Sequence, residues 1–417
     1  MSPSSTMIGR ALWRVGLSSA GEVAGRAVNL LLPFALFAVH SVDARMDGFF
    51  LAVAVAFFFQ GSLANALVSA LVPLLVQDRQ THTLRGLLRW SLAGGLLAGA
   101  LALGLTSATL SPATVMTVLA VVLMAASGLI AAPAVAVLNA DHRYGMPGLT
   151  WMLRVVPVVL YLTMRPDVPA LHWLMLGLAL SDAGRAAVLL TLVRGRLTLS
   201  GSGVALHLPP AAAHLMLASA VAGLTPLIAR WLASLGEPGG VSLFEAADRL
   251  YSALASLATI GVGNVTLVYL ARLTGTKDEH RGWRWILWSS MAWSLLWLAL
   301  SIVLWVFFPV VGEWFHLQSR AALAQVRDAF LALALGIPAF IMTGVLGRRL
   351  LIVGRAELFM PITMVGVAFS TVIGWLMFSV AGPAGIGVAL SGAQYLVMCL
   401  MGLAVRKGRD DAHSCAV

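Results

Sequence analysis

Charged side chains recur at helical spacing inside stretches of this chain that are otherwise apolar. Glu22, Arg26, Asn29 and Pro33 fall within roughly 60° of one another on a helix turning 100° per residue. Asp47, Ser62, Asn65 and Ser69 trace a second polar stripe, and Glu245, Arg249, Ser252 and Ser256 a third. A charge at bilayer depth costs at least ~2.5–3.5 kcal/mol, so each needs a partner or a wet cavity. The stripes suggest long helices lining one aqueous cavity. For Arg26 and Arg249 two readings stand: a cation presented to that cavity, or half of a neutral pair, since Glu22–Arg26 and Glu245–Arg249 are each four apart. Asp182 and Arg185, three apart, are spaced to neutralise each other. Arg154, Arg185 and Arg230 suit snorkelling to an interface or tying two helices together.

Bond-making chemistry is not written in these residues. The nine histidines are scattered. The chain has no H-E-x-x-H, no G-x-x-x-x-G-K and no G-x-S-x-G. That pattern disfavours an ATPase or a hydrolase; a membrane-embedded transferase, whose site can be sparse, stays open. Cys399 lies in an apolar run and Cys415 in a polar tail, so a disulfide framework is excluded.

The elements that must position these residues follow from composition. Of 417 residues, 60% are hydrophobic and 11% charged, which excludes a soluble enzyme and a disordered chain. The apolar runs are continuous, unlike the alternating strands of an outer-membrane barrel. The fold class expected is an all-α polytopic membrane protein of about twelve transmembrane helices. The spans lie near 13–38, 47–77, 87–110, 114–138, 147–164, 169–193, 210–235, 241–271, 284–309, 326–347, 357–379 and 383–405. The N-terminal stretch reads as a retained cytoplasmic start.

With the N-terminus inside, only Arg45, Arg165, Arg320 and Arg327 fall in outer loops, and most other basic residues fall in inner ones. That asymmetry places both termini in the cytoplasm, and makes the +10 net charge a matter of topology, not of nucleic acid. Arg26, Arg154, Arg185, Arg230 and Arg249 are left over, within spans or near their ends. The halves are weakly alike: ADHRYGMP (Ala140–Pro147) and VGRAELFMP (Val353–Pro361) are both basic inner loops ending in Met-Pro. Six spans per half make the repeats parallel. The expected organisation is a six-helix half over 1–197, a cytoplasmic linker over 198–209, a second half over 210–406 and a tail over 407–417, the halves surrounding a central cavity. Pro33, Pro73, Pro226 and the run IGVGNVTL (Ile260–Leu267) add kinks of the kind a shape-changing transporter uses.

Three motifs carry a resemblance. MDGFFLAVAVAFFFQGSLANALVSALVPLL (Met46–Leu75) resembles the T-D-A-F-F motif and the long helix ending F-V-P-I-L of the MurJ/MviN lipid II flippase family. LNADHRYGMP (Leu138–Pro147) is similar to that family's L-N-x-x-x-R-F-x-x-P loop. AADRLYSALASLATIGVGNVTLVYLARL (Ala246–Leu273) is similar to its A-D-R-L motif and glycine-rich helix. The matches run in the right order across essentially the whole chain, within the wider MATE-like exporter superfamily.

The resemblance implies an alternating-access flippase that carries a polyprenyl-pyrophosphate-linked glycan from the inner to the outer leaflet of a bacterial inner membrane. Arg26 and Arg249 fall on family arginines and would hold the pyrophosphate. Asp47, on a family aspartate, would be a gate or coupling carboxylate, with Glu245 and Asp248 beside Arg249. Glu22, Asn29, Gln60 and Asn65 would line the cavity. No cofactor or metal is implied; an ion gradient or membrane potential would drive transport. Partners would be the glycan lipid, membrane lipids and glycan polymerases.

Two departures bear on the cargo. Leu32 and Gln60 stand where the family has arginines, and the family usually carries two helices beyond the twelve read here. An exopolysaccharide or O-antigen unit therefore competes with lipid II. A cation-coupled drug exporter would want acidic, aromatic-lined cavities instead of paired Arg and Glu. A non-transporting relative is the remaining alternative.

Overall fold

The structure, a computed structural model, describes residues 27–77, 82–83, 85–106, 112–141, 143, 145–164, 170–194, 197–198, 204–205, 210–273, 279–310, 319–352 and 355–414. These residues are helical almost throughout. Among them, eight helices are long and apolar enough to cross a membrane.

In chain order, α1 (Ala27–Phe37) precedes α2 (Ala44–Phe57), a π-helical turn (Phe58–Leu63) and α3 (Ala64–Gln77), which form one long span. Asp43 starts that span by accepting the backbone N–H groups of Arg45 and Met46. Next come α4 (Arg85–Thr106) and α5 (Pro112–Ala140). A span assembled from α6 (Gly145–Leu149), a 3₁₀ turn (Thr150–Arg154) and α7 (Val155–Thr163) leads to α8 (Leu171–Leu192). The chain continues through α9 (Pro210–Ser234), α10 (Gly240–Leu273) and α11 (Glu279–Val306) to α12 (Arg320–Ala334) and α13 (Ile337–Ile352). The last helical stretch, Phe359–Ser414, is broken at Gly382 into α14 (359–381) and α15 (383–414). Gly382 has φ 56°, a left-handed value that glycine adopts without a Cβ penalty, and Pro383 then opens the next helix. The order of the described helices follows that of the apolar segments expected from the sequence; residues 13–26 of the first segment lie outside the described residues.

The chain forms two compact units, Met1–Gly223 and Leu224–Val417, dividing within α9 and not at the 198–209 linker anticipated from composition. The start of α9 goes with the first unit because Met216 packs on that unit's core. Leu67, Leu71 and Leu75 of α3 meet the alanine-rich face of α5 (Ala131, Ala132, Ala134, Ala136) and Leu189 of α8 there. Small residues let these helices approach closely, as membrane packing requires. Large apolar side chains such as Leu92, Leu96, Trp285, Trp288, Val372 and Trp375 instead point outward, which suits a surface solvated by lipid.

Three two-residue strands tie loops of the first unit together. His82–Thr83 pairs in parallel with Leu197–Thr198 on one side and Val204–Ala205 on the other. The loops after the second and sixth spans thus lie at one end of the unit.

Candidate functional site

In the first unit, five helical elements converge on one buried arginine. The 3₁₀ turn before α7 aims Arg154 inward, where its side chain is 2% exposed. Its Nε and Nη2 donate to the two oxygens of Asp182 on α8 at 2.7 and 2.6 Å. This is the bidentate fork that makes an arginine–carboxylate pair strong. Nη2 also donates to Gln60 Oε1 at 2.7 Å, and Nη1 to Asn29 Oδ1 of α1 at 3.1 Å. Gln60 Nε2 in turn donates to Asp182 Oδ2 at 2.5 Å and to the Met124 carbonyl of α5 at 2.8 Å.

Gln60 reaches this point because it sits in the π-helical turn, whose extra residue rotates the side chains after it. Gly128 makes room for it: a Cβ there would stand 2.5 Å from Gln60 Cγ. The Arg154 guanidinium lies over the rings of Trp151 (4.5 Å) and Phe57 (4.9 Å).

The second unit holds a four-charge cluster. Arg230, a turn before the end of α9, reaches Glu245 and Asp248 on α10. Its Nε donates to Glu245 Oε2 at 2.5 Å, Nη2 to Asp248 Oδ2 at 2.6 Å and Nη1 to the Pro226 carbonyl at 2.9 Å. Arg249 Nε donates to the other oxygen, Glu245 Oε1, at 2.5 Å. Glu245 is thus held between two guanidiniums and is 1% exposed, whereas the Arg249 side chain is 17% exposed. Two arginines against two carboxylates balance without external counter-ions.

The sequence-predicted residues divide as follows. Glu22 and Arg26 lie outside the described residues. Asn29 and Gln60 join the Arg154 network; Gln60 is buried within it instead of facing open space. Asp47 is buried in the first turn of α2, while Asn65 is exposed on α3. Glu245, Asp248 and Arg249 come together.

The expected Asp182–Arg185 pairing is replaced. Asp182 is taken by Arg154, and Arg185 lies over the Trp151 ring at 3.8 Å and donates Nε to Thr150 Oγ1 at 3.2 Å. Both side chains are buried, and the fork arriving from another helix satisfies both carboxylate oxygens. Of the two readings open for Arg154 and Arg230, helix tying is the one observed. For Arg230 the signal in the sequence is the charge balance, since Glu245 with Asp248 outnumber Arg249; for Arg154 the nearby Arg185 masked it. Among the described residues, no group of three His, Cys, Asp or Glu side chains is placed to hold a metal ion.

The sequence matches the family model described as lipid II flippase MurJ over residues 40–413. No curated protein matches significantly. The fold is similar to the structure of a lipid II flippase MurJ in an inward closed conformation, with TM-score 0.70 and 14% identity over 94% of this chain and 87% of that one. It is also similar to an outward-facing multidrug resistance MATE family transporter of the MOP superfamily, with TM-score 0.64 and 13% identity over 97% of each chain. A mutant of the Vibrio cholerae MATE transporter VcmN matches with TM-score 0.66 and 15% identity over 98% of this chain and 99% of that one.

Proposed function

The chain belongs to the lipid II flippase MurJ family, and from that premise we propose that it carries a polyprenyl-pyrophosphate-linked glycan from the inner to the outer leaflet of a bacterial inner membrane. Alternating access moves the head group through a wet path while the polyprenyl tail stays in lipid. The cargo is lipid II or a related exopolysaccharide or O-antigen unit.

The observation that carries the reading is the sharing of Glu245. Arg230 and Arg249 each take one of its oxygens, and Arg249 is the more exposed of the two. When Arg249 swings to a diphosphate, Arg230 keeps Glu245 and Asp248 paired, so no buried carboxylate is left without a cation. Arg249 exchanges one set of charge-assisted hydrogen bonds for another of similar strength, which makes binding reversible. Arg26 is proposed as the second diphosphate cation on the motif resemblance. Asp47 is proposed as a gate or coupling carboxylate. An ion gradient or the membrane potential supplies the drive, and glycan polymerases are the partners that would consume the product.

The test is rescue. Cells depleted of their own flippase and supplied with this protein should regain outer-leaflet exposure of a labelled glycan lipid. Arg249→Ala and Arg26→Ala should each abolish that rescue. If both variants rescue like wild type, the assignment of the diphosphate cations is wrong. If wild type moves neither lipid II nor any other glycan lipid tried, the flippase reading falls.

A further inference from the structure

The first unit has a cavity of ≈ 620 Å³ at the end opposite its small sheet. It is formed by the turn between α1 and α2 and by the first residues of α2, α5 and α8. The long α2–α3 span runs from this cavity to the strand at His82, and α8 runs from it to the strand at Leu197. Arg79, Arg85, Arg89 and Arg194 flank the sheet end in sequence, which by the positive-inside rule faces the cytoplasm. The cavity therefore opens on the outer side. Its volume falls within the roughly 300–1,000 Å³ typical of small-ligand sites.

The lining combines groups suited to an acidic sugar. Arg45 and His172 both line it, and among the described residues neither side chain has a hydrogen-bonding or ion-pair partner. The carboxylate of the cavity, Asp43, is occupied: Oδ1 accepts the backbone N–H groups of Arg45 and Met46, and Oδ2 accepts Ser41 Oγ. His40 is occupied too, its Nε2 lying 2.6 Å from Tyr161 Oη. What remains for a ligand is a guanidinium fork and an imidazole, beside the ring of Phe49. A guanidinium binds a carboxylate bidentately, and an aromatic ring in the wall of such a pocket suits the apolar face of a sugar.

We propose that this outer cavity is a receiving site for a carboxylate-bearing sugar, with Arg45 and His172 holding the carboxylate. The inference rests on the flippase reading for its cargo, and narrows that cargo to a glycan that carries an acidic sugar. It adds a recognition point on the outer side of the first unit.

The test uses the full-length protein in detergent micelles. A disaccharide containing glucuronic acid is compared with its methyl ester, which keeps the shape and removes the charge, by saturation-transfer NMR and titration. The acid should bind saturably and the ester roughly tenfold or more weakly, the difference expected for a hydrogen bond to a charged group. Arg45→Gln and His172→Gln, both at accessible positions, should each weaken the acid and leave the ester unchanged, with unaltered thermal unfolding as the control for folding. Equal binding of acid and ester, wild-type affinity in Arg45→Gln, or no saturable binding overturns the proposal. So does complete displacement by an equal concentration of inorganic phosphate, which would mark a bare anion site. Rescue by wild type alongside absent disaccharide binding would sink this proposal alone. Acid-selective binding without rescue of any glycan lipid would sink the flippase reading and leave the site.

Discussion

Removing Asp182 should destabilise the protein far more than removing the Arg154–Asp182 pair altogether. Asp182 accepts Nε and Nη2 of Arg154 and Nε2 of Gln60, all in a buried setting. In Asp182→Ala, Arg154 Nε loses its acceptor and keeps its charge. Each orphaned buried donor costs about 1–3 kcal/mol, more when charged, and breaking one side of a buried ion pair costs about 3–5 kcal/mol. Two further groups set the direction. Gln60 Nε2 retains the Met124 carbonyl, which limits its loss. Arg185 shares the Trp151 ring with Arg154, so deleting the carboxylate leaves two guanidiniums with their repulsion uncompensated.

The sum is a cost of about 3–5 kcal/mol for Asp182→Ala and a similar one for Arg154→Ala. The double variant Arg154→Met, Asp182→Leu should lie within about 1–2 kcal/mol of wild type, because desolvation of the two ions is relieved together. Adding Arg185→Met to Asp182→Ala should recover part of the loss. Unfolding in mixed micelles, followed by tryptophan fluorescence, gives the free energies of wild type and these four variants for comparison. Single costs under about 1 kcal/mol, or a double variant as damaged as the sum of the singles, would show that the pair does not hold these helices as argued.

Three more outcomes are expected. Arg230→Gln should cost about 3–5 kcal/mol of stability because Glu245 and Asp248 both lose their shared cation. Arg249→Gln should cost clearly less while abolishing glycan-lipid exposure; unfolding and rescue measured on the same two variants separate these roles. Burial lowers the pKa of His40 below its ordinary 6.5, with Asp43 opposing. The native state therefore favours the neutral ring, and the stability this contributes is fully present above about 6.5. It is lost as pH falls from there through the lower folded value. Melting curves from pH 8 to pH 5 should show that loss in wild type and a flatter profile in His40→Gln. Gly382→Ala should lose about 1–2 kcal/mol, since φ 56° strains any Cβ-bearing residue. Unfolding of that single variant is the check, and a neutral result would mean that the kink relaxes without penalty.

The order of the apolar helices was legible because a membrane demands long apolar runs, and runs are a property of neighbouring residues. The break before Pro383 was legible for the same local reason. The division within α9 was not, because the packing of Met216 on the α3–α5 core depends on side chains far away in sequence. The π-helical turn at Phe58–Leu63 was also hidden. Nothing in FFQGSL distinguishes it from α-helix, yet it is what turns Gln60 toward Arg154.

Spacing along one helix reveals which residues share a face, and it found Glu245 with Arg249. It tempts the reader to close every charge with a partner three or four residues away, which is how Asp182 came to be matched with Arg185. Inside a membrane the stronger constraint is that each buried charge must be fully hydrogen-bonded. A carboxylate has more acceptor sites than one neighbour on its own helix can fill. A bidentate guanidinium from a different helix fills them better, and Arg154 and Arg230 both do so. Leftover arginines in an apolar chain are therefore best assigned by asking which carboxylates remain underfilled. By that measure Arg154 belongs with Asp182, Arg230 belongs with Glu245 and Asp248, and Arg249 is the cation whose loss from the cluster Glu245 can withstand.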